Sequence, residues 1–142
     1  MTIARKADAY VQNIVLFAQW QKRRGNYMPY IKKDGRREAL QREESALTAG
    51  ELNYQIFYYL KHTKDSHVFQ IIKVQEFIKN FLGDKPNYQR YNDMTGCLIR
   101  CYKEIQRRLN IDAKFLMDIM NSYDYEIDNY EDEKYQINGD VE

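Results

Sequence analysis

The stretch YQRYNDMTGCLIRCYKEIQRRL, residues 88–109, contains the clearest helical pattern in this sequence. Its apolar side chains recur at steps of three or four residues, which is the spacing of one face of an α-helix. The residues on this seam are Tyr91, Met94, Leu98, Cys101, Ile105 and Leu109. A heptad-like seam of this kind predicts a long helix that packs against other helices. The preceding GDKPN, residues 83–87, predicts a turn because it contains glycine and proline.

Further helices are indicated on both sides of this segment. Thr48 and Glu51 form a T-x-x-E capping box, which predicts a helix that starts there and extends to about His62. An apolar face predicts another helix over 67–82, although VFQII at its start also fits a short strand. We expect the remaining helices at about 2–24, at about 36–47 and after a cap at Asp112.

The composition predicts the fold class. The chain has 142 residues, of which 44% are hydrophobic, and only two prolines and six glycines interrupt it. We therefore predict an all-α, bundle-like domain of five to six helices over 1–121, followed by an acidic, tyrosine-rich tail over 122–142. Segments 67–82 and 88–109 are expected to be its central pair. Six side chains are expected to be mostly buried: Ile72, Ile78, Leu82, Leu98, Ile105 and Leu109.

Opposite charges are concentrated at the two ends of the chain. Residues 1–42 contain ten lysines and arginines against three acids, whereas residues 118–142 contain one lysine against nine acids. The chain as a whole has a formal net charge of only +1 and contains thirteen tyrosines. Such a separation of charge favours contact between the two ends, either within one chain or between chains.

The tail reads NSYDYEIDNYEDEKYQINGDVE, and its aromatic and acidic residues alternate. If it is extended, its aromatic and acidic side chains face opposite sides. These observations predict a non-enzymatic protein–protein interaction or assembly subunit of viral or organellar type, which contacts other copies or other subunits. The predicted contact residues in the tail are Tyr123, Tyr125, Ile127, Tyr130, Asp124 and Asp128. Those in the basic region are Arg23, Arg24, Lys32, Lys33, Arg36 and Arg37.

An alternative interpretation is a helix-turn-helix-like nucleic-acid-binding protein that uses the turn and helix over 84–109. The candidate contact residues are Lys85, Gln89, Arg90 and Asn92. Basic clusters in the first 42 residues could add phosphate contacts. The near-neutral net charge and the bulky Lys79 four residues before Gly83 count against this alternative.

No motif indicates an enzyme, a cofactor or a metal site. The sequence contains no P-loop, GxGxxG, GxSxG or HExxH. The spacing of Cys97 and Cys101 relative to His62 and His67 fits no zinc site, and we interpret both cysteines as small core residues. The acids at 124, 126 and 128 resemble a calcium loop, but its glycine and its final glutamate are missing. The cysteine usage favours an intracellular, reducing compartment, which includes the cytoplasm, a virion or an organelle interior, and no transmembrane segment is indicated.

Overall fold

A computed structural model of the chain describes residues 31–32 and 35–141. The described residues form six helices and no strand. The helices are α1 (Arg37–Gln41), α2 (Ala49–His62), α3 (His67–Leu82), α4 (Tyr88–Leu109), α5 (Phe115–Asn121) and α6 (Asp124–Asn138). The all-α prediction is therefore confirmed, whereas the helix predicted at about 2–24 lies outside the described residues. No helix within the described part of the chain is long and apolar enough to cross a membrane.

The chain divides into two compact units, Met1–Arg37 and Glu38–Glu142. In the first unit, the guanidinium of Arg37 donates two hydrogen bonds to the Ile31 carbonyl, at 3.1 and 2.6 Å. The backbone N–H of Gly35 donates to the Lys32 carbonyl at 3.0 Å. The second unit begins at Glu38 and contains most of α1 and all of helices α2–α6.

Side-chain caps start the three long core helices. The Thr48 hydroxyl accepts a hydrogen bond from the Glu51 N–H, and the Glu51 carboxylate accepts one from the Leu47 N–H. This arrangement confirms the predicted start of α2. Ser66 caps α3 in the same way, and Asn87 caps α4. These bonds satisfy backbone donors that have no partner inside the helix, so local sequence is sufficient to place the helix starts.

Two ends of the predicted helices differ from the structure. The helix predicted at about 36–47 ends at Gln41, because the backbone turns soon afterwards and Glu43 has a left-handed φ of 68°. Asp112 does not cap α5, whose N-cap residue is Lys114 and has no side-chain cap. The Asp112 carboxylate instead accepts a hydrogen bond from the Lys114 N–H at 3.0 Å.

Helix α4 is the centre of the second unit. Its buried face consists of Met94, Cys97, Leu98, Cys101 and Ile105. This face packs most extensively on α2 and then on α5, and less on α3. The prediction that 67–82 and 88–109 form the central pair is therefore wrong. The reason is that the buried residues of α3 begin only at Val74, so its first two turns contribute no fully buried side chain to the core.

Four of the six side chains expected in the core are buried, namely Ile78, Leu82, Leu98 and Ile105. Leu109 is partly exposed at the end of α4, and Ile72 is 45% exposed. The burial of Ile72 was predicted from its place in an apolar series, but it lies in the first two turns of α3, which have no fully buried residue. The same segment is helical, so the short strand considered at VFQII is not formed.

Helix α2 carries two buried polar side chains, Asn53 and Gln55, and Gln55 joins the helix to the end of α1. The Gln55 amide donates hydrogen bonds to the carbonyls of Leu40 and Glu44, at 3.0 and 2.8 Å. Both carbonyls belong to the irregular segment around the end of α1. A buried amide that satisfies two backbone acceptors anchors this segment to the core.

Candidate interaction surface

The C-terminal segment is a helix that packs on the first half of α4. Tyr123, Ile127 and Tyr130 are partly buried, and their spacing of four and three residues places them on one face of α6. The prediction of an extended tail is wrong. A helix satisfies the backbone hydrogen bonds of the segment internally, and it brings all three side chains to the side that faces α4.

The predicted tail contacts therefore fall into two groups. Tyr123, Ile127 and Tyr130 are used within the chain, although none of the residues of α6 is fully buried. Asp124 and Asp128 are exposed, and Tyr125 is 75% exposed. The outer side of α6 is thus acidic with an isolated aromatic ring, whereas the inner side is aromatic and apolar.

Burial and the charge of Glu126 act together on two tyrosines at the junction between α4 and α6. Partial burial raises the pKa of Tyr91, and the charge of Glu126 adds to this effect. Burial likewise raises the pKa of Tyr123, with further contributions from Glu126 and Tyr91. Both hydroxyls therefore stay protonated and remain hydrogen-bond donors well into the alkaline range.

A cleft of about 320 Å³ lies where the start of α4 meets the second half of α6. We call it the tyrosine cleft, and it is lined by Tyr88, Tyr130, Glu131, Lys134 and Tyr135. The rings of Tyr88 and Tyr130 are nearly parallel, with an angle of 16° and a centroid separation of 6.1 Å. The Lys134 ammonium lies 5.4 Å from the centroid of the Tyr130 ring.

Of the contact residues given in the sequence analysis, Tyr130 lines this cleft. The available sequence signal is the helical spacing in the tail, where Lys134 follows Tyr130 by four residues and Glu131 by three. This spacing brings the side chains together only in a helix, so it is not recognised when the tail is interpreted as an extended strand. Tyr88 could not be assigned to the cleft from sequence, because its contact with Tyr130 joins residues more than forty positions apart.

A second surface feature lies at the start of α3. Val68, Phe69 and Ile72 are 65%, 62% and 45% exposed, and they occupy adjacent positions on the helix surface. We call these three residues the α3 apolar patch. Sequence reasoning missed this patch because apolar residues occur on more than one face of α3, and only packing shows which of these faces is buried.

The structure describes only part of the predicted basic contact region. Arg23, Arg24 and Lys33 lie outside the described residues, so their predicted role stays a prediction. Lys32 is exposed and Arg36 is partly exposed.

The residues proposed for nucleic-acid contact occupy different environments. Lys85, Gln89 and Asn92 are exposed, and the Gln89 amide donates to the Asp93 carboxylate at 2.8 Å. The Arg90 guanidinium donates to the Leu47 carbonyl at 2.7 Å and lies 4.6 Å from the centroid of the Phe81 ring. Arg90 is therefore engaged inside the molecule in this conformation.

Both cysteines lie on the buried face of α4, as expected for small core residues. Burial is the main cause that raises the pKa of Cys97 to about 12, and the charge of Asp93 adds to it. Burial also raises the pKa of Cys101. Because a thiol must ionise to act as a nucleophile, neither group has the chemistry of a reactive cysteine at neutral pH. Within the described residues, no group of three or more His, Cys, Asp or Glu side chains is arranged to hold a metal ion.

Comparisons with protein-family models, curated proteins and solved structures find no match for this chain.

Proposed function

We propose that this protein is a non-enzymatic protein–protein interaction or assembly subunit. The observation that carries the proposal is the α3 apolar patch. Three large apolar side chains are exposed together on a helix whose other half is well packed. A cluster of exposed apolar side chains marks an interaction surface more often than a scattered single one does.

The distribution of charge favours a second copy of this chain as the occupant of the patch. The basic residues in 1–42 and the acidic residues in 118–142 are complementary, so two copies can attract one another end to end. In such a contact, burial of Val68, Phe69 and Ile72 supplies the apolar area. The exposed acids of α6 then set the orientation and the encounter rate more than the affinity, because they remain close to solvent.

Sedimentation velocity over a series of protein concentrations tests this proposal. We expect the wild-type chain to self-associate, and the double variant Phe69→Gln/Ile72→Gln to stay monomeric. Glutamine is compatible with a helix and both sites are exposed, so the melting temperature should change little. The matched control is Lys79→Gln, an exposed change on the same helix outside the patch, which should associate like the wild type.

A wild-type chain that is monomeric at the highest concentration would exclude the second copy as the occupant. Affinity purification from the native source then identifies a different subunit. That partner should be lost with the double variant and kept with Lys79→Gln. A double variant that retains every partner and every oligomer would disprove the role of the α3 apolar patch.

A helix-turn-helix-like nucleic-acid binder is our second proposal. It is favoured by the short turn between α3 and α4, where Lys85 and Asn92 are exposed. A gel-shift series with duplex and single-stranded DNA and RNA tests it, and Lys85→Gln should weaken any binding and reduce its dependence on salt. The absence of a shift with all of these probes at low salt would rule it out.

A further inference from the structure

We propose that the tyrosine cleft binds a cationic side chain of a partner protein, with arginine preferred over lysine. This inference rests on the proposed interaction function and names the chemistry of one contact. The cleft is formed by Tyr88, Tyr130 and Tyr135, with one carboxylate from Glu131 and one ammonium from Lys134.

The aromatic lining of the cleft suits a cation. The faces of aromatic rings carry negative potential, and three of the five lining residues are tyrosines. Tyr88 and Tyr130 present nearly parallel rings on adjacent helices. A planar guanidinium stacks on such rings, whereas an ammonium offers only a point charge, which is the reason to prefer arginine.

The charge around the cleft has the matching sign. Glu131 lines the cleft and is partly buried. The stretch 124–133 of α6 carries six acidic residues and no basic one. The acidic residues of this helix therefore attract a cation at distances greater than the size of the cleft, which raises the rate of encounter.

Lys134 shows that an aromatic face of this cleft accepts a cation. Its ammonium lies over the Tyr130 ring, at 5.4 Å from the centroid. A cation of the chain itself therefore occupies the ring face that we assign to the cation of the partner. An incoming arginine competes with it for the same ring. Removal of the Lys134 charge should therefore strengthen the binding of a cation and weaken the binding of an anion, and this opposite response decides between the two ligand classes.

The experiment is an NMR titration of the ¹⁵N-labelled full chain with the peptide acetyl-Gly-Arg-Arg-Gly-amide. We expect shifts of the amide signals of Glu131, Lys134 and Tyr135. The same peptide with glutamine in place of arginine should cause no such shifts. Tyr130→Leu should weaken binding about threefold or more, which is the usual size of a cation–π contribution at a partly exposed site. Tyr130→Phe keeps the ring and should retain binding.

Two further variants complete the design. Tyr125→Leu is the matched control, because Tyr125 lies on the same helix but outside the cleft, and it should leave the affinity unchanged. Lys134→Gln should increase the affinity for the arginine peptide about twofold or more. Circular dichroism of each variant shows whether α6 is still helical. If Tyr130→Leu disturbs the helix, the comparison of Tyr130→Phe and Lys134→Gln with the wild type still tests the cleft.

Equal binding of the glutamine peptide, or weaker binding of the arginine peptide by Lys134→Gln, would overturn this inference. Its failure is distinguishable from failure of the proposed function. The double variant Phe69→Gln/Ile72→Gln should bind the peptide like the wild type, since the α3 apolar patch is not part of the cleft. A chain that self-associates but does not bind the peptide would disprove the role of the tyrosine cleft and leave the proposed function intact.

Discussion

Helices α4 and α6 lie against one another but are held in different ways. Helix α4 has five buried residues along its length and contacts three other helices of the core. Helix α6 has no fully buried residue, and its packing depends on partly buried side chains along one face. A helix at the centre of a core is therefore expected to be more stable than a helix that covers the core, even when both are well formed. The covering helix is free to present its outer face to a partner.

The largest expected effect is the loss of a buried leucine from α4. Leu98 is 0% exposed, and Leu98→Ala should reduce the free energy of unfolding by about 2–5 kcal/mol, because it leaves a cavity in the core. The matched change on the covering helix is Ile127→Ala, which should cost about 1 kcal/mol or less because Ile127 is only partly buried. Urea denaturation followed by circular dichroism measures both values, and equal losses would contradict the comparison.

The buried thiols of α4 predict a loss of stability at alkaline pH. The ordinary pKa of a thiol is 9.0, and burial raises that of Cys97 to about 12. Between these two values the unfolded chain binds fewer protons than the folded chain. The stabilising contribution is therefore complete below pH 9.0 and decreases as the pH rises towards 12.

The slope should reach about 1.4 kcal/mol per pH unit for each such thiol. Burial of Cys101 acts in the same direction, as do the raised pKa values of Tyr59, Tyr91 and Tyr123. Urea unfolding in the presence of a reductant, from pH 8 to pH 10.5, measures this dependence. Cys97→Ala should reduce the slope, and an unchanged slope would show that the Cys97 thiol does not contribute to it.

A smaller effect is expected from the cap of α4. The Asn87 side chain accepts a hydrogen bond from the Arg90 N–H at 2.9 Å, and Asn87→Ala should cost about 1 kcal/mol. Helix α6 has no side-chain cap, so its start depends on packing instead. The melting temperature measures the loss, and Asn87→Asp should retain most of the stability because aspartate caps equally well.

The last prediction concerns removal of the whole covering helix. A chain that ends at residue 121 should keep its helical core and lose little thermal stability, because no residue of α6 is fully buried. It should nevertheless lose partner binding or self-association. Calorimetry and sedimentation velocity test the two halves of this expectation. A truncated chain that unfolds would show that α6 is needed for the folding of the core. A truncated chain that associates as before would show that the tail is not part of the interaction surface.

Local signals in the sequence were sufficient for much of the fold. The helix 88–109 was predicted with the bounds that it has, because its apolar seam is regular and a turn precedes it. The start of α2 followed from Thr48 and Glu51, whose hydrogen bonds are made within a few residues. The candidate site was predictable only in part. Tyr130 was among the predicted contacts, but its proximity to Tyr88, Lys134 and Tyr135 was not predicted, since an extended tail would not place them together.

The sequence by itself determined that the described part of the chain is helical and where α2, α3 and α4 begin and end. Capping and periodicity depend on residues that are close in the chain, so they are visible without the fold. Only the tertiary structure decided that α4 packs mainly on α2, that Ile72 is exposed, and that the tail is a helix on α4. The alternation of tyrosines and acids is compatible with a strand and with a helix. Contact with α4, including the stacking of Tyr130 on Tyr88, favours the helix because it brings Tyr123, Ile127 and Tyr130 to one side.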